Sequence, residues 1–434
     1  MERIFLLSLG CPKNLIDSET LSGTLTQSGY TIVDNPEEAE AILISTCAFI
    51  RPAIEESVES ILELAEFKKQ GDCKKLVVLG CLVDRYKGKL LPLLPEVDAW
   101  IGLKALPYIS SRLKDGNMPS LALEGPGWSL DHFLKRNLVH PYVAYVKIAE
   151  GCSNGCSFCT IPNIRGRFFS RPISEIKKEV EMLTQRGVKE IILVAQDTTS
   201  YGMDIYERPS LNELIYTLDS IEGLTWLRLL YAHPRRAMRL SEAFYRCQHL
   251  VPYLDVPIQH INNKVLKAMG RGYNGKEVYN IIDHFRKKLP HISLRTTVIV
   301  GFPGEDKKAY GELINFIEYA EFDFLGAFKY YPEEGTRAFC FKNAVSKKEK
   351  QNRWQRVMDT QKGILWNKNK KRLGTVEEVL VEESSDSFSI ARAAWQAPEV
   401  DSQIYIEHKA RAGSMVKIKI TDILDYDLKG ILLK

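Results

Sequence analysis

Apolar residues follow three rhythms along this chain. Over residues 1–113, short apolar runs alternate with helical patterns. Ile4-Phe-Leu-Leu-Ser-Leu9, Ala41-Ile-Leu-Ile-Ser45 and Leu76-Val-Val-Leu79 read as buried strands, and Ser18–Gln27 and Arg51–Lys69 as helices. Continuous apolar strands separated by helices predict an N-terminal α/β domain with a parallel sheet and right-handed crossovers. Residues 114–139 are polar, carry Gly116-Asn-Met-Pro119 and Glu124-Gly-Pro-Gly-Trp128, and read as a linker. From Tyr142 the alternation restarts on a longer beat. Strands are expected at Tyr142–Ala149, Glu190–Ala195, Trp226–Leu230, Leu254–Ile258, Ser293–Val300 and Phe324–Tyr330, with helices such as Ile173–Arg186, Leu211–Ile221, Gly275–Leu289 and Lys307–Ala320 between them. Six βα units at roughly 35-residue spacing predict a partial (β/α)6 barrel, short of the eight units of a closed one. With the charged helix Ser346–Arg372, this unit spans 140–371. Residues 372–434 change to short alternating runs, Glu377–Val381, Ser402–Ile406 and Ser414–Ile420, the pattern of a small antiparallel β-domain.

Composition narrows the class. At 434 residues, 45% hydrophobic and 26% charged, the chain is long enough for several well-buried cores. A net charge of +4 over this length gives no bulk argument for nucleic-acid binding. The apolar run Ile4–Leu7 is too short for a signal peptide, and no stretch approaches the ~20 apolar residues that span a bilayer. Nine cysteines in such a chain point to a reducing cytoplasm and to metal or redox use rather than disulfides. The charge is unevenly placed. Ser346–Arg372 carries ten Lys/Arg against Glu349 and Asp359, whereas residues 373–434 carry eleven acidic and seven basic side chains.

Six of the cysteines fall into two sets of three. Cys152, Cys156 and Cys159 lie in one loop, separated by three and then two residues. Closed structural zinc sites take four ligands, so three thiolates fit a 4Fe–4S cluster with one iron left open to bind and activate a ligand. Cys11, Cys47 and Cys81 each follow one of the three N-terminal strands. Ligands gather at the carboxyl ends of parallel strands, so these three are expected to converge on a second cluster site, again with an open iron. Any one of them alone reads as an inert buried cysteine. Cys73, Cys247 and Cys340 have no such company and no assigned role.

The loop Cys152-Ser-Asn-Gly-Cys156-Ser-Phe-Cys159, at the end of the first barrel strand, resembles the CxxxCxxC signature of radical S-adenosylmethionine enzymes, with Phe158 as the usual aromatic before the last cysteine. The whole chain resembles the methylthiotransferase family of those enzymes: an N-terminal domain with three cluster cysteines, a radical-SAM barrel and a C-terminal TRAM domain. Ser8-Leu-Gly-Cys11-Pro-Lys-Asn14, Asp17-Ser-Glu19, Ile161-Pro162, Arg165-Gly166, Ser170-Arg-Pro172, Pro257-Ile-Gln-His260, Arg295–Glu305 and Ala397-Pro-Glu-Val-Asp401 are similar to the RimO-type branch. The tRNA-modifying branch carries Gln-Met between its cysteine and asparagine. Gln396 and Ser402 depart from the RimO-type pattern, which has Asp and Gly there.

The resemblance implies two 4Fe–4S clusters and S-adenosyl-L-methionine as cofactors. It implies methylthiolation of the β-carbon of an aspartate in the twelfth small-subunit ribosomal protein, by a cytoplasmic monomer reduced by a flavodoxin or ferredoxin. Cys152, Cys156 and Cys159 would hold the cluster that generates a 5′-deoxyadenosyl radical, and Cys11, Cys47 and Cys81 the cluster that carries the sulfur. No further catalytic residue is assigned. Gln196 and Asp197 end the second barrel strand, where they either grip the cofactor amine or cap the structure locally. Gly301 and Gly304 either admit the adenosyl group or simply make a turn. Gln259 and His260 follow the fourth strand toward the same mouth, and a lone histidine is more often structural. The acidic C-terminal domain suits a basic ribosomal protein better than RNA; the basic helix reads as a solvated or packed face. Two other functions stay open: a tRNA (isopentenyl- or threonylcarbamoyl-adenosine) methylthiotransferase, and a non-catalytic Fe–S carrier or sensor, for which a six-unit barrel has no use.

Overall fold

The computed structural model describes residues 3–433. Its first domain is a six-stranded parallel sheet of β1 (Arg3–Ser8), β2 (Thr31–Val33), β3 (Ala41–Thr46), β4 (Lys75–Gly80), β5 (Ala99–Ile101) and β6 (Leu121–Ala122), in the order β2-β1-β3-β4-β5-β6. β3 is buried along its whole length, as a strand covered on both faces must be. The helix expected at Ser18 starts six residues earlier, spanning Pro12–Gln27 with Cys11 at its N-cap. Pro12 suits that first turn, where a missing N–H costs nothing. The helix buries Lys13, Asn14, Asp17, Ser18, Glu19 and Thr20 beside Ile16, Leu21 and Leu25.

Residues 114–139 are not a bare linker. Lys114 and Asp115 complete the helix Ile109–Asp115, Leu121–Ala122 adds the edge strand β6, and Leu130–Phe133 forms a capped turn of helix. Arg136 follows with 1% exposure.

The second unit opens with β7 (Val143–Lys147). A short antiparallel ribbon, β8 (Ala149–Glu150) and β9 (Phe169–Ser170), then frames the cysteine loop. β10 (Glu190–Val194) and β11 (Trp226–Leu229) join β7 in one parallel sheet; β12 (Tyr253–Asp255), β13 (Ser293–Val300) and β14 (Phe324–Lys329) make another. The two meet where Leu227 N donates to His249 O (2.7 Å) and Val251 N to Leu227 O (2.9 Å). The six strands thus form an open half-barrel with a seam between β11 and β12. Helices Ile173–Gln185, Leu211–Asp219, Gly275–Lys288 and Lys307–Ala320 lie between successive strands.

The helix Lys347–Arg372 packs one face, Arg353, Val357, Gln361, Leu365 and Asn369, with a four-residue repeat. It leads to a closed barrel of β15 (Val376–Ser384), β16 (Ser389–Ala393), β17 (Ile404–Ile406), β18 (Met415–Leu424) and β19 (Asp427–Leu432). This barrel is not wholly antiparallel, because β17 pairs with β19 in parallel. Gln396 and Ser402 prove to be partners: Gln396 Nε2 donates to Ser402 O (2.6 Å) and to Ser402 Oγ (3.0 Å). Among the described residues no helix is long and apolar enough to cross a membrane.

Buried ion pairs join the three units. Arg136 pairs with Glu19 of the first domain (2.5 Å) and Glu179 of the half-barrel (2.7 Å), and Arg171 binds the other oxygen of Glu179. Arg392 of the C-terminal barrel reaches Glu190 on β10 (2.6 Å), which Arg228 also holds (2.6 Å). Removing one partner of such a set strands the others without water. Arg136→Met is therefore expected to lower the unfolding free energy by about 3–5 kcal/mol. A urea midpoint indistinguishable from the parent's would show that this cluster does not hold the joint.

Candidate active site

Cys11, Cys47 and Cys81 stand at the carboxyl ends of β1, β3 and β4. Gly10 (φ +97°) lets the first two approach: a Cβ there would lie 2.7 Å from Cys47 Cβ and 3.1 Å from its Sγ. Asn14 ties the strand ends together, its Nδ2 donating to Leu9 O and Thr46 O, both at 2.9 Å. Its Oδ1 faces Cys81 Sγ at 3.6 Å. Burial pushes the Cys81 thiol up to about 12. Burial also raises Cys11, but Lys13 and Arg165 outweigh it, and that thiol is lowered overall.

Cys152, Cys156 and Cys159 occupy the loop between β8 and β9. Gly151 (φ +69°) makes the close turn into it, since a Cβ there would meet Arg167 O at 2.2 Å. Asn154 N donates to Cys152 Sγ (3.4 Å), and Ser157 is pinned to Ala268 O and Met269 O. Arg271, braced by Tyr273 Oη (2.8 Å) and Pro257 O (3.1 Å), donates to Cys156 Sγ at 3.0 Å. Burial lifts the Cys159 thiol to about 12. All six cysteines are free.

Among the described residues no three His, Cys, Asp or Glu side chains converge as the ligands of a single ion would. A cluster differs from one ion because each thiolate binds a different iron, which spreads the sulfurs apart. Two sets of three free cysteines suit that donor pattern.

Between the two sets lies a buried network that the sequence reading did not anticipate. Arg165 donates to Asn14 Oδ1 (2.5 Å), Glu150 Oε1 (2.9 Å) and Cys81 Sγ (3.5 Å), and lies 3.4 Å from Asp17 Oδ2. Lys147 bonds Asp17 Oδ1 (2.6 Å) and Glu150 Oε2 (2.7 Å). Arg165 and Lys147 hold the Glu150 carboxyl far below its usual range, against the opposing effect of burial. In the sequence Arg165 stands out only as part of a motif, and Lys147 only as one residue of a strand. Their charges at buried positions were the available signal.

The other expected residues divide. Gln196 Nε2 donates to Glu150 (3.1 Å), and its Oε1 is buried without a partner. Gln259 Oε1 is buried and unpaired as well; its backbone sits at φ +64°, bonded on both sides to β13. These two orphaned acceptors fit a ligand that carries N–H donors. Asp197 is already occupied, accepting from Asn154 (2.7 Å), Thr199 (2.6 Å), Ser200 (2.8 Å) and Arg236 (3.0 Å), so it fixes the cysteine loop. Phe158 packs edge-on to Phe302 at 6.3 Å. Gly301 N is taken by Glu305 (2.6 Å), and a Cβ there would strike Lys350 at 2.3 Å, so this glycine answers to packing. Gly304 (φ +85°) makes a turn with open space around it. His260 is wholly buried, with Nδ1 accepting from Ile261 N and Asn262 N; burial lowers it to about 3, so it caps a turn as a neutral ring.

Comparison with known proteins adds independent findings. Residues 3–102 match the family described as Uncharacterized protein family UPF0004, residues 146–317 the Radical SAM superfamily and residues 373–433 the TRAM domain. The chain is 42% identical over 440 residues to the ribosomal protein uS12 methylthiotransferase RimO of Desulforamulus reducens, covering 99% of each. It is 43% identical over 435 residues to that of Aquifex aeolicus, covering 99% of this chain and 96% of the relative. For Geobacter sulfurreducens the identity is 41% over 438 residues, with 99% and 98% covered. Among solved structures, the radical S-adenosylmethionine methyltransferase TsrM from Kitasatospora setae superposes with a TM-score of 0.55 at 14% identity, over 76% of this chain and 73% of that one. The cobalamin-dependent radical enzyme OxsB gives 0.52 at 11%, over 85% and 56%. Those two likenesses are of fold alone.

The Lys147–Asp17 pair crosses from the half-barrel to the first domain. A double-mutant cycle with Lys147→Met and Asp17→Asn is expected to return a coupling of about 1–3 kcal/mol in denaturation experiments. Additive effects would show that the two domains are registered by other contacts.

Proposed function

The chain belongs to the RimO family of ribosomal protein uS12 methylthiotransferases, and from that premise we propose that it adds a methylthio group to the β-carbon of an aspartate in that ribosomal protein. The observation that carries this reading is two three-cysteine sets on domains that Arg165 joins, since it contacts Cys81 and Asp17 of the first domain and Glu150, two residues before Cys152, of the second. A transfer that joins sulfur to an unactivated carbon needs a sulfur-bearing site and a C–H-breaking site beside one another.

When bound, a 4Fe–4S cluster with S-adenosyl-L-methionine supplies the radical chemistry that no general base offers at an unactivated C–H bond. Cys152, Cys156 and Cys159 would hold that cluster, with Arg271 offsetting the negative charge of Cys156 through its 3.0 Å contact. Gln196 and Gln259 would turn their unpaired oxygens to the cofactor's donors. Phe158 would wall the pocket, and Asp197 would keep the loop in place through Asn154. Cys11, Cys47 and Cys81 would hold the second cluster, with Arg165 orienting Cys81. An external flavodoxin or ferredoxin would deliver electrons to a monomer acting in the cytoplasm.

Charge supports a protein substrate over tRNA. Residues 373–434 carry eleven acidic and seven basic side chains, complementary to a basic ribosomal protein. The basic helix has much of its charge engaged internally: Arg353 with Glu305, Lys362 with Asp425, Lys368 with Asp323.

Anaerobic reconstitution is expected to load about eight irons per chain, falling to about four in the Cys11→Ala/Cys47→Ala/Cys81→Ala variant. A wild-type value near four would remove the second cluster. In a competition between a uS12 loop peptide and isopentenyl-adenosine tRNA, with S-adenosyl-L-methionine and reductant, the mass gain is expected on the peptide. Gain on the tRNA alone would overturn the substrate.

A further inference from the structure

Lys13 is 7% exposed, yet among the described residues its ammonium has neither a hydrogen bond nor a salt bridge. Its buried neighbours are treated differently: Lys147 and Arg165 share Asp17 and Glu150, and Arg136 holds Glu19 and Glu179. A buried ammonium is ordinarily paired, because burying it alone is costly. The carboxylates of the surrounding network are already engaged. Glu150 receives Lys147, Arg165 and Gln196, and Asp17 receives Lys147 and Trp128.

The Lys13 ammonium feels the charges of Cys11 and Glu150 without bonding to either, and it rests on the face of Tyr231, 4.1 Å from the ring centroid. Tyr231 lies just past the carboxyl end of β11, at the mouth of the half-barrel. Its backbone is held at φ +63°, an uncommon state for an aromatic residue, with its N–H on Asp255 Oδ2 (2.8 Å) and its carbonyl taken by Thr198 N (3.2 Å). Lys13 is two residues from Cys11 and belongs to the first domain, whereas Tyr231 belongs to the second. The ammonium and its aromatic rest therefore bridge the auxiliary cysteine site and the barrel mouth.

We infer that Lys13, resting on Tyr231, is the substrate-binding cation of this site and takes the side-chain carboxylate of the residue to be modified. The inference rests on the function proposed above and deepens it. The carboxylate of an aspartate is one bond from its β-carbon, so an ammonium that holds the carboxylate fixes the reacting carbon beside the cysteines. The unpaired lysine supplies the charge that selects an acidic side chain. The competing role is compensation of cluster charge at Cys11.

The test uses the reconstituted holoenzyme and two synthetic peptides of the uS12 loop, one with the acceptor aspartate and one with asparagine in its place. Wild-type protein is expected to bind the aspartate peptide at least about 10-fold more tightly, by fluorescence anisotropy. Lys13→Met is expected to bind both peptides alike, with unchanged iron content and unchanged electron paramagnetic resonance spectra of both clusters; Lys13→Arg is expected to restore part of the preference. Equal binding of the two peptides by wild type, or a preference retained in Lys13→Met, would overturn the assignment. Loss of preference accompanied by lost iron or altered spectra would also overturn it, in favour of cluster compensation. If wild type modifies the aspartate peptide while Lys13→Met keeps the preference, only the Lys13 role fails. If wild type neither binds nor modifies the peptide, the proposed function falls and the Lys13 role falls with it.

Discussion

Arg165 reaches Asn14, Asp17, Glu150 and Cys81 from a side chain that is 1% exposed, and the rest of the site is arranged around that guanidinium. A dehydrated cation is tolerable only while its partners surround it. Three of them, Asn14, Asp17 and Cys81, come from the first domain, and Glu150 comes from the half-barrel. The bonds therefore exist together only when the domains are docked in one register. Lys147 repeats the constraint from β7, bonded to both Asp17 and Glu150. Electrostatics here sets position more than stability: a hydrophobic joint of similar size would tolerate sliding, and a network of fixed donors and acceptors does not. That register fixes how the domain carrying Cys81 meets the unit carrying Cys152, although 70 residues separate the two in sequence.

The parts of the fold that were legible in sequence are those in which burial and apolar character coincide. β3, β4 and β10 carry continuous apolar runs, and the six strands of the half-barrel lie close to where the sequence places them. The helix Pro12–Gln27 shows the opposite case. Its first turns bury Lys13, Asn14, Asp17, Ser18 and Glu19, so the face that enters the interface is polar, and hydrophobic periodicity begins only beyond it. β2, β5 and β6 span two or three residues each, too short for any period to register. Residues 114–139 carry the turn residues of a linker, but Leu121–Ala122 completes the sheet edge and Arg136 fills the domain joint.

The site divides the same way. Cysteine spacing and strand ends are sequence properties, and the two proposed triads rest on them. The work of the polar residues depends on partners that sequence does not list. Asp197 sits at a strand end as a cofactor ligand would, yet four donors already claim its carboxylate. Gln196 and Gln259 occupy similar strand-end positions and keep a buried acceptor free. What separates the two cases is hydrogen-bond satisfaction, which exists only in three dimensions. Gln396 and Ser402 make the related point for departures from a family pattern. Taken singly they are two anomalies, but as bonded partners inside the C-terminal barrel they form one local solution, with Gln396 Oε1 also accepting from Ala393 N (2.9 Å).

Charge distribution brings these strands together. The net charge of +4 conceals a basic helix and an acidic terminal domain in direct contact. Lys362 meets Asp425, and Arg372 lies over Trp395 at 3.6 Å, near Glu377. Lys368 turns inward to Asp323, and Lys350 to the carbonyl of Tyr330. Positive charge engaged in this way is already paired and offers little to a phosphate backbone, whose recognition depends on cations free to displace counterions. Lys13 differs from them: it is buried, and among the described residues its ammonium has no hydrogen bond or ion pair. Counting residues would rank the helix first as an anion site, while counting charges that are both buried and unmet singles out the lysine beside Cys11. For a transfer at one carbon, a single directed cation is the better match, because it fixes orientation as well as sign.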